Sequence, residues 1–162
     1  LGCRARPMTG REAGIITTNT PVGAKVARVE IKYVKGLLEE GIIPVVAGFQ
    51  GYYRDDARQR DEVSILGRGG SNLTAVALAD APGQTECTMF TNVDGVYDKA
   101  PDVRPYATWC SQLRARDLLT WDPFPHVIQK EAVLYAVERG VNIWIRDGFE
   151  PNIEGSLIRC RE

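Results

Sequence analysis

The chain has 162 residues, 44% of them hydrophobic and 25% charged, an ordinary globular composition with length enough for one domain and a sizeable core. A net charge of −1 and a pI near 6.0 provide no field to gather nucleic acid or an anionic membrane surface, and neither is expected as a partner. Four cysteines without a C-x-x-C pair and a single histidine argue against zinc and for free thiols in a reducing compartment. With no apolar run of membrane length and no signal peptide, a cytoplasmic protein is expected.

Patterned sequence begins almost at once after Leu1, so a piece of a longer polypeptide is expected. Ala13 to Thr18 and Ala24 to Val29 read as short strands joined as a hairpin through the turn formers Asn19-Thr20-Pro21-Val22-Gly23. From Glu30, the apolar residues Ile31, Val34, Leu37 and Leu38 recur at helical spacing, and Gly41 suits a C-terminal cap. Ile42 to Ala47 is short, β-branched and apolar on both faces, as in a central parallel strand. The charged and aromatic stretch Gln50 to Glu62 reads as a protruding hairpin or loop, solvated in its plain interpretation, although Tyr52 and Tyr53 could pack over a ligand.

An apolar strand, Val63 to Leu66, then breaks into Gly67-Arg68-Gly69-Gly70-Ser71 and restarts as a helix from Asn72 to Ala81. Glycines admit close backbone approach, and the first amides of a helix lack internal partners, so this junction suits an anion. Arg68 adds a forked, permanent positive charge. From these residues alone, an anion site and a tight turn with a surface arginine are equally well served. Beyond Pro82-Gly83, a strand over Glu86 to Thr91 runs into Asn92-Val93-Asp94-Gly95-Val96-Tyr97. Pro101 and Pro105 mark a loop, Ser111 or Thr108 could cap a helix through Leu113, Leu118 and Leu119, and Trp121 to Pro125 stops it. Val127 to Arg139 reads as a helix closed by Gly140, followed by a strand over Val141 to Ile145. Strands alternating with helices predict an α/β protein that binds ligands at the carboxyl ends of its strands, where Gly48, Gly67 and Asn92 to Asp94 fall.

Three loops therefore carry the chemistry: Gly48-Phe49-Gln50-Gly51, Gly67 to Ser71, and Thr91 to Tyr97. Together they offer an arginine, glycine amides, hydroxyls and a carboxylate, an inventory suited to a carboxylate beside a polyphosphate. Asp94-Gly95 alone is an ordinary turn; the combination is far more specific.

In order and spacing, Pro44 to Gly51, Leu66 to Ser71 and Thr91 to Tyr97, with Thr9-Gly10-Arg11-Glu12-Ala13-Gly14-Ile15 ahead of them, resemble the aspartate kinases of the amino-acid-kinase superfamily. The resemblance covers essentially all 162 residues. It implies a three-layer αβα sandwich around a mostly parallel sheet, an ATP and magnesium requirement, and transfer of the γ-phosphoryl group to the side-chain carboxylate of aspartate. By the same resemblance, Phe49, Arg68, Gly69, Gly70 and Ser71 would hold the amino-acid substrate, with Arg68 on a carboxylate. Thr91, Asn92, Asp94, Tyr97, His126 and Val127 would meet the nucleotide; no residue is assigned to a metal.

The sequence departs from that family at several positions. Asn72 and Asn92 stand where aspartates are expected, Ala100-Pro101-Asp102 replaces aspartate-proline-arginine, His126 replaces a phosphate-binding lysine, and Gln129-Lys130-Glu131 replaces a histidine-proline-arginine run. The family's opening lysine-phenylalanine-glycine-glycine-threonine stretch, its substrate-binding glutamate and its regulatory domains have no counterpart in these residues. Residues 1–162 are accordingly expected to be the C-terminal portion of the kinase domain, its N-terminal part missing, poor alone because phosphoryl transfer depends on positioning and charge neutralisation. An N-terminal half or partner subunit, in a homo- or hetero-oligomer, would complete it. The competing class is a degenerate subunit that binds a ligand or partner, and a third keeps catalysis with another carboxylate acceptor.

Overall fold

A computed structural model describes residues 2–98, 107–150 and 152–161, in two compact units, Leu1–Gly83 and Gln84–Glu162.

In the first unit the elements run β1 (Arg4–Met8), β2 (Ile15–Thr17), β3 (Val22–Ala24), β4 (Val26–Val29), α1 (Lys32–Glu39), β5 (Ile42–Val46), β6 (Gln50–Asp55), β7 (Arg60–Leu66) and α2 (Gly70–Asp80). β1 and β5 pair in parallel, and a second sheet has the order β3-β7-β6-β2-β4. The expected hairpins form as antiparallel pairs, β2 with β4 and β6 with β7. The Asp55 carboxylate closes the β6–β7 tip by accepting the amides of Ala57 (3.0 Å) and Arg58 (3.1 Å). Along α1, Val34 and Leu37 are buried one helical turn apart, and the helix ends as Gly41, at φ +68°, donates to the Leu38 carbonyl at 3.0 Å. These side chains join Met8, Ala13 and Ile15 in the core of the unit. Thr17 and Ser64 satisfy each other inside, their hydroxyl oxygens 2.6 Å apart.

The second unit contains β8 (Glu86–Thr91), β9 (Val96–Tyr97), β10 (Trp109–Cys110), β11 (Gln112–Arg114), α3 (Ala115–Leu118), α4 (Lys130–Arg139), β12 (Asn142–Asp147) and β13 (Ser156–Arg159). Its four-stranded sheet has the order β11-β13-β12-β8 and is mixed, because β13 runs antiparallel to β12 and parallel to β11. Cys87, Met89, Ile143, Ile145 and Ile158 from the sheet are buried, as are Ala132, Val133 and Ala136 of α4. Gly140 terminates α4 in the left-handed region at φ +68°.

Several elements differ from expectation. Leu113 lies on β11, not on a helix, and α3 is a single turn with no side-chain cap. Val127 and Ile128 precede α4, which starts only at Lys130. β5 is parallel as expected but pairs with β1 alone among the described residues, and Ile43 (49% exposed) and Val45 (55%) leave one face open. The loop at Pro101 and Pro105, with the Ala100-Pro101-Asp102 departure, lies outside the described residues.

Candidate active site

The first unit brings the five residues assigned to the substrate onto one small structure. Gly48 and Phe49 follow β5, while Gly67 to Gly69 follow β7 and lead into α2. Phe49 adopts φ +70°, a left-handed conformation that costs a residue with a Cβ about 1 kcal/mol or more and is kept only where the surroundings enforce it. The enforcing contacts are visible. The Phe49 amide donates to Thr74 Oγ1 at 3.2 Å, its carbonyl accepts the Leu66 amide at 3.0 Å, and Thr74 Oγ1 donates to the Gly70 carbonyl at 2.8 Å.

The two loops also require glycine. A Cβ on Gly70 would fall 2.6 Å from Leu66 Cβ and 2.9 Å from Phe49 Cδ2, and one on Gly48 would fall 3.0 Å from Ser71 Oγ. Gly69 is the N-cap of α2 in a left-handed conformation (φ +77°) with no side-chain cap, so the start of the helix is left without a local acceptor side chain. Arg68 and Ser71 are exposed beside it. Asn72, at the position of the expected aspartate, is half-buried in the same first turn, its amide bonded to the Gly69 carbonyl at 3.0 Å.

Upstream, Thr9 and Glu12 form a reciprocal pair: Glu12 Oε2 accepts from the Thr9 amide (2.7 Å) and hydroxyl (2.9 Å), and Thr9 Oγ1 accepts the Glu12 amide (3.2 Å). These bonds to Thr9 hold the Glu12 carboxyl below its ordinary range. Thr9, Glu12 and the strand ends Met8 and Val46 line an open cleft of about 450 Å³.

In the second unit, the Thr91 to Tyr97 loop is braced at both ends. Thr91 Oγ1 accepts the Val93 amide at 3.0 Å, and the Thr91 carbonyl accepts the Gly148 amide at 2.8 Å. The Tyr97 hydroxyl donates to the Asp94 carboxylate, 3.1 and 3.0 Å from its two oxygens. Burial, then this carboxylate, pushes the Tyr97 phenol above its ordinary range. The fully buried Ser156 hydroxyl accepts the Val96 amide at 2.8 Å, and a Cβ on Gly95 would collide with Ser156 Oγ and lie 2.6 Å from Trp109 Nε1. Asn92 is exposed, as is His126, which sits with Val127 in the turn ahead of α4. No hydrogen bond or ion pair ties His126 or Val127 to the Thr91 to Tyr97 loop among the described residues.

Thr74, Ser156 and Trp109 escaped the sequence reading because each acts through a partner distant in sequence: 25 residues for Thr74 with Phe49, 60 for Ser156 with Val96. A buried serine opening an otherwise apolar strand, Ser156-Leu157-Ile158, was the available signal. Arg146, at the end of β12, stacks on Trp144 at 4.8 Å and keeps Nε buried without a hydrogen-bond partner.

Residues 1–147 match the family model described as the amino acid kinase family. The chain belongs to this family. Over 98% of its length it is 37% identical to the aspartokinase of Mycolicibacterium smegmatis, of which it spans 37%. The amino acid kinase fold recurs in solved structures. The aspartate kinase from Synechocystis superposes with a TM-score of 0.76 at 28% identity, covering 98% of this chain and 25% of that one. Aspartokinase III of Escherichia coli superposes with a TM-score of 0.75 at 24% identity, covering 96% and 34%. The α/β class and the family resemblance expected from the three loops are thereby shown. No helix is long and apolar enough to cross a membrane among the described residues.

Proposed function

We propose that this chain supplies the substrate-loop and nucleotide-loop portion of an aspartokinase-type enzyme, which transfers the γ-phosphoryl group of ATP to the side-chain carboxylate of aspartate or a close relative. The observation that carries it is the Gly48-Phe49 turn locked onto the uncapped start of α2, with Arg68 exposed beside it. The 37% identity to an aspartokinase over 98% of the chain supports the same reading.

In this reading Arg68 forks onto a carboxylate of the amino acid, and the backbone at Gly69, Gly70 and Ser71 adds the positive end of α2. Phe49, fixed by its unusual backbone, forms a wall of that pocket. Thr91, Asn92, Asp94 and Tyr97 meet the nucleotide, with His126 and Val127 near its phosphates. Magnesium would arrive with ATP and neutralise developing phosphate charge; it keeps waters and needs few protein oxygens, so the single carboxylate of Asp94 fits. Neutral Asn72 and Asn92 leave the substrate loop and the nucleotide loop each with less negative charge than the family pattern. The remaining cations and the substrate glutamate would come from an N-terminal kinase half or a partner subunit.

A second reading, a degenerate subunit that binds ligand or partner, is favoured by Asn72, Asn92 and His126 in place of charged family residues. Aspartate-dependent ADP release by the full-length protein with Mg-ATP separates the two. Turnover supports the kinase; tight nucleotide binding without turnover, for any amino or carboxylic acid offered, supports the subunit.

A further inference from the structure

The second unit carries a concentration of positive charge that the kinase reading does not use. Arg114, Arg116, Arg159 and Arg161, with Asp117 and Cys160, line a cleft of about 400 Å³, within the size range of small-ligand sites. Four arginines and one aspartate are among its lining residues, in a chain whose overall charge is −1.

The backbone forces two of these charges together. β11 and β13 pair in parallel with Arg114 directly opposite Arg159, and side chains at registered positions leave the same face of the sheet. Like charges opposed in this way weaken a sheet, and an anion shared between them would offset that repulsion. Neither Arg114 nor Arg159 forms an ion pair with a carboxylate among the described residues. Arg161 is anchored at the rim, its Nε donating to the Gly140 carbonyl at 2.5 Å, which fixes one wall of the cleft. The cleft holds none of the residues assigned above to aspartate or ATP.

The geometry points to a separate binding site for a compact polyanion, a small molecule whose phosphate or carboxylate groups are close enough to be shared by Arg114 and Arg159. Forked guanidiniums match either group through paired N–H donors. Cys160 contributes bulk rather than reactivity, because burial pushes its thiol up to about 11.

Calorimetric titration of the full-length protein with pyrophosphate and, separately, with tricarballylate tests this and distinguishes phosphate from carboxylate ligands. Saturable binding of either probe, weakened about tenfold or more in both Arg114→Gln and Arg159→Gln, is expected. Two results would overturn the site: no binding of either probe at about 1 mM, or affinity unchanged in both variants. Because pyrophosphate can also occupy a nucleotide site, only the component lost in these variants counts. If a glutamine variant does not fold by circular dichroism, Arg114→Lys and Arg159→Lys keep the charge and lose the fork. Severalfold weaker binding then supports the site, and unchanged binding overturns it.

Discussion

The ring of Phe49 occupies the space that a side chain on residue 70 would need: a Cβ on Gly70 would lie 2.9 Å from Phe49 Cδ2. Gly70→Ala must therefore push the ring, the Leu66 side chain, or both. We expect a loss of about 1–3 kcal/mol by urea denaturation, typical of overpacking, together with weaker substrate binding because the Phe49 turn is displaced. Native stability in this variant would show that the two loops are not locked together.

Thr74 makes a related and separable prediction. Its hydroxyl accepts the Phe49 amide and donates to the Gly70 carbonyl while the residue is only 3% exposed. Thr74→Val keeps the shape and removes both bonds, orphaning the Phe49 amide and taking one of its donors from the Gly70 carbonyl, at about 1–3 kcal/mol in total. Thr74→Ser, which restores the hydroxyl, should recover most of that loss in the same denaturation measurement.

Ser156 plays the corresponding part in the second unit, where it accepts the Val96 amide in a fully buried position. Ser156→Ala orphans that amide and loosens the segment carrying Asp94 and Tyr97. Expected are a stability loss of about 1–3 kcal/mol and a raised KM for ATP, with little change in KM for the amino acid. Equal effects on both KM values would place the residue in general stability instead.

The cysteines set a pH dependence. Burial raises the thiols of Cys87 and Cys160 from 9.0 to about 11 in the folded chain. A group whose pKa is higher when folded stabilises below its unfolded value and loses that contribution as pH rises through the folded one. Stability from these two thiols is thus complete below pH 9 and declines between 9 and about 11. Denaturation midpoints measured across that interval should fall, and fall less steeply in the Cys87→Ala, Cys160→Ala double variant. Thiol labelling of the native protein at neutral pH should find exposed Cys3 first and Cys87 last.

Much of the fold could be read from local pattern, and the parts that could not depend on distant partners. Glu86 to Thr91 alternates buried and exposed residues and was legible as a strand to the residue. The Gln50 to Glu62 hairpin and the helix after Gly69-Gly70 were legible from turn chemistry and glycine punctuation. Arg4 to Met8 was not, because charged residues and a proline disguise a strand that exists through its parallel partner β5. Val22-Gly23 looked like turn and, with Ala24, forms β3, paired with β7 some 40 residues away. Leu113 carried a helical spacing with Leu118 and Leu119, yet pairing with Ile158 draws it into β11. In the candidate site the glycines, Phe49 and Arg68 stood out as chemistry, while the hydroxyls of Thr74 and Ser156 that hold the loops in shape emerge only from the folded chain.

The most direct measurement is Mg-ATP-dependent phosphorylation of aspartate by the full-length protein and its Arg68→Ala variant. Turnover is expected in the parent, and in Arg68→Ala a KM for aspartate raised on the order of tenfold to a hundredfold, the cost of losing a charge-assisted pair, with ATP affinity nearly unchanged. Turnover that is indifferent to Arg68→Ala would contradict the assignment of the glycine loop to the substrate, and no turnover with any carboxylate acceptor would contradict the kinase itself.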